Sequence, residues 1–171
     1  AIWTRNWRNQ LRVGVIPYYM FVERDTGARH YFEVPLYKAV EIYNNAVSAV
    51  SGLGRTVRGP SMSAEPGKVH VLGVINSNGK KAFALRFLQA RNPEWMNHIF
   101  LAKYDEKAVW LHDLKPLDGD RFFYEDEFDE IKKQTKLISK EKINFKKAKL
   151  KNDAEVFGCL AKSSIHQLSV H

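Results

Sequence analysis

The sequence predicts an α/β fold in which a βα unit is followed by an antiparallel β-hairpin. Three observations predict it. Residues 12–21, RVGVIPYYMF, carry Val13, Val15, Ile16, Tyr18, Tyr19, Met20 and Phe21, the β-branched, aromatic and large apolar types of a strand. Leu36, Val40, Tyr43, Val47 and Val50 then recur at spacings of 4, 3, 4 and 3, which places them on one helical face. Further along, two apolar runs flank Asn76-Ser77-Asn78-Gly79, a hairpin turn signal.

Taken in order, Ala1 to Leu11 puts Trp3 and Trp7 at i and i+4, which predicts a short amphipathic helix packing both indoles on the body. Arg5 and Arg8 lie on it without a partner motif for phosphate. The strand comes next. Its near-continuous apolar run implies burial on both faces, as in a parallel sheet. Pro17 argues against a helix and places an edge, a strand start or a bulge at that point. Val22 to His30 is a charged loop pivoting on Gly27. In a parallel α/β fold, the loop at a strand's C-terminal end is where ligands bind.

Pro35 fits the first position of the helix and Gly52 its C-terminal cap. Val57 to Lys68 reads as a second, turn-rich loop. Val69 to Ala90 is the hairpin. On its return strand Phe83, Leu85 and Phe87 alternate with Ala82, Ala84 and Arg86, so one face is expected to be buried. Asn92 to Tyr124, broken by Pro93, Pro116 and Gly119, predicts short strands and turns, and Glu125 to Glu130 the start of a helix running into Ile131.

At 171 residues the chain is long enough for one real core. It is too short for a whole β/α barrel, which takes roughly 200 to 250 residues. A hydrophobic share of 44% and a charged share of 27% are those of a soluble globular protein. No apolar run reaches the length of a membrane span, and Ala1 to Gln10 lacks the apolar core of a signal peptide. The expectation is therefore a cytoplasmic protein with no membrane partner. The chain does not begin with Met, so it is expected to be processed or to be a piece of something longer.

The net charge of +8 belongs to one segment. Residues 131–151 hold nine lysines and a single acid, Glu141. Taking those from the 27 basic and 19 acidic residues of the chain leaves 18 of each, so the main body is neutral. The run reads as a solvated, partly disordered tail. Only Phe145 interleaves it, which disfavours nucleic-acid binding through stacked bases. The single cysteine, Cys159, excludes a disulfide scaffold and a cysteine-rich zinc site. The six histidines show no metal-ligand spacing, and only His30 lies in the candidate ligand loop.

Several blocks carry a resemblance. Gly14-Val15-Ile16-Pro17-Tyr18-Tyr19-Met20-Phe21, then Phe32, Pro35, Glu41-Ile42, Ser51-Gly52 and Pro66-Gly67-Lys68 resemble, in order and with compatible gaps, the C-terminal half of the lysine 2,3-aminomutase family of radical S-adenosylmethionine (SAM) proteins. The resemblance covers about Arg12 to Val71 well and extends loosely to Phe128. It implies the C-terminal part of a partial β/α (TIM-like) barrel, with the hairpin as an appendage. It also implies a [4Fe-4S] cluster, SAM and, in the true aminomutases, pyridoxal phosphate (PLP). The C-x-x-x-C-x-x-C motif that holds such a cluster is absent here, and one thiol cannot replace it. The cofactors are thus expected in the complete protein and none is bound by this chain alone.

By the same resemblance, Lys68 matches the lysine that binds PLP covalently through its amine. That role needs a neutral amine on a flexible stem. Read from the residues alone, Lys68 is an ordinary surface lysine opening a strand, and only the resemblance brings the cofactor role level with that reading. Phe21 matches an aromatic beside the PLP ring, or is plain core. The two aspartates that hold the distal ammonium of lysine are replaced by Arg24, with Asp25 one position on, and by Ser61. A cation at that place repels an ammonium, so an amino acid with an acidic or neutral distal group is the expected substrate.

The resulting expectation is a last βα unit of a radical SAM barrel over 1–68, a β-rich appendage over 69–130 and a basic tail over 131–171. The chain would be part of an isomerase that needs a missing N-terminal half or a partner chain. The alternatives are a non-catalytic remnant, a partner-dependent subunit, or an RNA-binding protein with a basic tail.

Overall fold

A computed structural model describes residues 2–24, 27, 29–143 and 146. The protein is mixed α/β and separates into two compact units, Ala1–Glu125 and Asp126–His171. In the first unit, helix α1 (Ile2–Arg12) leads to strand β1 (Tyr19–Phe21), a single turn α2 (Arg29–Phe32) and helix α3 (Leu36–Ser48). Strands β2 (Arg58–Ala64), β3 (Gly67–Ser77), β4 (Lys80–Ala90) and β5 (Ile99–Lys103) follow. The five strands form one sheet in the order β1-β2-β3-β4-β5. The β1–β2 pair is parallel and the other three pairs are antiparallel.

The βα unit is present and closes into β1-α3-β2, with two differences from the sequence reading. The expected strand over residues 12–21 is shortened to three residues. Helix α1 extends through Arg12, and Gly14 turns the chain at a φ of +76°. The expected burial on both faces does not hold either: Val13 is 75% exposed, Val15 51%, Ile16 67% and Phe21 53%. The expected loop at Val57 to Lys68 is instead strand β2, a tight turn and the start of β3. Gly52 does not cap α3. Ala49 does, and Gly52 opens a short 3-10 turn that ends at Thr56.

The apolar stripe of α3 behaves as its spacing requires. Leu36, Val40 and Val50 are buried, and Tyr43 and Val47 are half-buried. One core cluster joins Trp7, Met20, Ala46, Val50 and Val57, with Trp3, Ile42, Tyr43 and Val47 packed against it. Trp7 meets Trp3 at 6.0 Å and the Tyr43 ring edge-on at 6.2 Å, so the i, i+4 indole pair docks α1 as expected. The Tyr43 hydroxyl donates to the Val57 carbonyl at 2.8 Å and Arg8 to the Ala49 carbonyl at 2.5 Å.

The hairpin is β3–β4, and its turn residues Asn78 and Gly79 both have positive φ, at 50° and 78°. Burial is wider than alternation predicts. Ala82, Phe83, Ala84 and Leu85 are buried in succession, and Arg86 is exposed. A second aromatic cluster surrounds Phe87, with Trp95 at 5.7 Å, Phe100 at 5.5 Å and Tyr124 at 5.0 Å.

In the second unit the described residues are helical through residue 143, in a helix that begins at 125. Of the expected basic tail, residues 131 to 143 are helical, and the stretch beyond residue 146 lies outside the described residues. Its lysines sit on it as i, i+3 pairs, Lys132 with Asp129 at 2.8 Å and Lys133 with Glu130 at 2.7 Å. Its apolar residues Leu137, Ile138 and Ile143 are exposed. No helix among the described residues is long and apolar enough to cross a membrane.

Candidate functional site

The site is built on the short parallel strand. Side chains alternate along a strand, and β1 turns Met20 into the cluster of Trp7, Ala46, Val50 and Val57. Tyr19 and Phe21 therefore face away from the helices. Their rings stack at 4.9 Å with an interplanar angle of 20°. Tyr18 meets Tyr19 edge-on at 4.4 Å.

Glycine sets how closely the neighbouring strands approach. Gly59 has a φ of +149°, and a Cβ there would collide with the Met20 carbonyl. Its absence lets β2 come up to β1, where the Arg58 amide donates to the Tyr18 carbonyl at 2.9 Å and the Val22 amide to the Ser61 carbonyl at 2.9 Å. Gly67, with a φ of +155°, similarly approaches the Gln89 carbonyl of β4. Lys68 follows it, opposite Ser63 on one side and Gln89 on the other.

This places the Lys68 ammonium over two aromatic faces. Its Nζ lies 4.3 Å from the Tyr19 ring centroid and 5.4 Å from that of Phe21. Arg58, the register partner of Tyr19, sits 5.3 Å from the Tyr18 centroid. Partial burial alone would push the Tyr19 hydroxyl up. The neighbouring Arg58 and Tyr18 side chains, together with the charge of Lys68, outweigh it and hold the hydroxyl below the usual tyrosine range.

Beside this cluster Phe21, Val22, Glu23, Arg24 and Ser63 line an open groove of about 420 Å³. Of the residues singled out from the sequence, Lys68, Phe21 and Arg24 thus lie around one stretch of β1 and its C-terminal loop. Ser61 does not join them in the open. It is fully buried, with its hydroxyl donating to the Met20 carbonyl at 3.5 Å. Asp25 lies outside the described residues. His30 is exposed and pairs with Glu33 at 3.4 Å.

Sequence reasoning missed Tyr19 and Arg58. The period of two from Phe21 could have found Tyr19, but nothing local marks Arg58, which arrives only through the β1–β2 pairing. The arrangement offers a primary amine over two aromatic rings, with an arginine on the neighbouring strand and a groove that shares Phe21 with it. Among the described residues no three His, Cys, Asp or Glu side chains come together to hold a metal ion. Cys159 lies outside the described residues.

No protein-family profile matches the chain, and no solved structure matches it. One curated protein does, that of Aquifex aeolicus (strain VF5) described as "Putative L-lysine 2,3-aminomutase", at 30% identity over 105 residues. The match takes in 61% of this chain and 27% of the relative, so the chain spans about a quarter of the length of the curated protein it matches. Over that span the chain has a lysine-aminomutase-like relationship.

Proposed function

We propose that this chain is the C-terminal, cofactor-facing part of a radical SAM aminomutase-like protein that rearranges an amino acid, and that its sheet continues a partial β/α barrel. The observation that carries the reading is the Lys68 amine. It occupies the place that resemblance gives to the PLP-binding lysine, and its Nζ lies 4.3 and 5.4 Å from two aromatic ring centres on the sheet face opposite the helices.

The residues present suit PLP. Lys68 supplies the amine that condenses with its aldehyde, and the rings of Phe21 and Tyr19 supply an apolar wall for a flat heterocycle. When bound, PLP supplies an electron sink at the amino acid's nitrogen. The rest is this chain's work. Phe21 and Arg24 both line the groove, and the Phe21 ring lies 5.4 Å from the amine. A cation there disfavours a distal ammonium and suits an acidic or neutral distal group.

The residues do not suit an iron–sulfur cluster, because the three-thiolate motif is absent from the sequence. The cluster and SAM are therefore assigned to polypeptide that this chain does not include, whether a longer form or a partner. The apolar, solvent-exposed run of Val13, Val15, Ile16 and Tyr18 beside the unpaired edge of β1 supports such a neighbour.

The test is chemical trapping. The chain is incubated with PLP, reduced with borohydride, digested and mapped by mass spectrometry. The adduct is expected on Lys68 and is expected to vanish in Lys68→Ala. Adducts scattered over surface lysines, or none, would overturn the assignment.

A further inference from the structure

We infer that Tyr19 is the positioning residue of Lys68, with Arg58 as the group that fixes Tyr19. This rests on the reading of Lys68 as the reacting amine of the site.

Three features carry it. The first is distance. The Lys68 Nζ is 4.3 Å from the Tyr19 centroid and 5.4 Å from Phe21, so the tyrosine ring is the nearer platform. A lysine side chain has four rotatable carbons and no intrinsic direction, and an aromatic face beneath the ammonium supplies one. The second is that Tyr19 is itself held on every side open to it. Phe21 stacks on one face, Tyr18 meets it edge-on at 4.4 Å, and Arg58 stands beside it on the neighbouring strand. The third is that the anchor comes from a different strand. Arg58 stands opposite Tyr19 in the β1–β2 register, and its guanidinium lies 5.3 Å from the Tyr18 ring. Strands β1, β2 and β3 thus each contribute one part: the ring, its anchor and the amine.

Phe21 lacks the hydroxyl through which such an anchor acts, and it is exposed, whereas Tyr19 is half-buried. Phe21 therefore serves as a wall and Tyr19 as the support. Arg58 neighbours Tyr19 from the adjoining strand, and the Lys68 amine meets the ring face. Tyr19 consequently orients Lys68 without exchanging a proton with it.

The experiment reads the geometry before it reads any binding. Reductive methylation with formaldehyde and cyanoborohydride converts each lysine to its dimethylammonium form, which keeps the positive charge. The Lys68 methyl signal, assigned by its loss in Lys68→Arg, is expected upfield of the other lysines because it sits over a ring. Tyr19→Leu should lose the larger part of the shift, leaving the weaker contribution of Phe21. Tyr19→Phe and Arg58→Met each remove one half of the pairing that fixes the ring, so both should fall between the parent and Tyr19→Leu. Circular dichroism of each variant confirms that the fold is kept.

An unshifted Lys68 in the unmodified sequence, or the same shift in Tyr19→Leu, overturns the inference. PLP affinity is the second readout. Tyr19→Leu should weaken it about two- to fivefold, the range of one exposed cation–π contact, while Tyr19→Phe stays nearer the parent. Equal affinity in Tyr19→Leu and the parent overturns the positioning role. A parent chain that shows the ring shift yet takes no PLP on Lys68 overturns the cofactor reading and leaves the Tyr19 platform standing.

Discussion

Along β4, Ala82, Phe83 and Leu85 have no solvent exposure and Ala84 only 7%. Along the approach to β1, Val13, Val15, Ile16 and Tyr18 are more than half exposed. Both stretches are rich in apolar residues. The difference is what lies beside them. Strand β4 is central, paired with β3 and β5 and covered by aromatic side chains, whereas β1 has one strand neighbour among the described residues. Apolar content therefore marks which surfaces want cover, and topology decides which of them this chain covers by itself.

That contrast can be tested from both ends. The largest effect is expected in the hairpin. Phe83 is fully buried and stacks on Tyr104 at 5.3 Å. Phe83→Ala should cost about 3–5 kcal/mol in urea unfolding, as large-to-small core changes do. A loss below about 1 kcal/mol would mean that the hairpin core is not where stability resides.

Next comes the joint between the two regions. Gly59→Ala would drive a Cβ into the Met20 carbonyl and force a φ that side chains rarely adopt. It should destabilise by about 2 kcal/mol or more and should release β1 before the hairpin. Tryptophan fluorescence from the Trp7 cluster, set against total circular dichroism during unfolding, separates the two events; coincident transitions would show that they melt as one.

A smaller, pH-dependent effect is expected from His70 on β3. Burial holds its pKa below the ordinary value, against the hydrogen bond to the Gly59 carbonyl at 3.1 Å, and Arg86 adds to the lowering. The unfolded chain therefore binds the proton first. Stability is full above the unfolded pKa near about 6.5, falls as pH drops through it, and levels off below the depressed folded pKa. The buried Nδ1 has no partner to receive the added proton's hydrogen bond. In His70→Gln this part of the slope should disappear, and a slope left unchanged would assign it to other groups.

The smallest effect is expected at the open edge. Ile16→Ser should alter stability by less than about 0.5 kcal/mol, because the side chain is 67% exposed. It should nevertheless reduce self-association on gel filtration if this surface is the one that seeks a neighbour. A large stability loss instead would show that Ile16 is covered in solution.

The hairpin was legible because its signals are local: an Asn-Gly turn, flanking apolar runs and a period of two. Helix α3 was legible from its stripe. Strand β2, RGPSMSA, was not, because Gly59, Pro60 and two serines read as turn residues, and what makes it a strand is β1 on one side and β3 on the other. The long apolar run before Phe21 overstated β1, since its composition reports a preference for burial and its neighbour on the outer edge is not in this sheet. At the site, resemblance singled out Lys68 and Phe21. The tyrosine between them in space and the arginine behind it needed the register. Ser61 shows the opposite case, a residue whose sequence position pointed to a ligand and whose side chain is enclosed.

The β1–β2 pairing joins segments separated by 36 residues, from Phe21 to Arg58, whereas β3 and β4 are joined by the two residues Asn78 and Gly79. Closing the longer loop costs about 2–3 kcal/mol more chain entropy, and only three residues of β1 repay it. The hairpin thus has the means to nucleate on the microsecond scale, with β1 docking late onto a sheet that already exists. The same order in reverse makes the backbone amides of Tyr19 to Phe21 the first in the sheet to exchange with deuterium. The aromatic platform beneath Lys68 is then the part of the sheet expected to assemble last and open first, and a partner docked against that edge would act on the lifetime of the platform as well as on its shape.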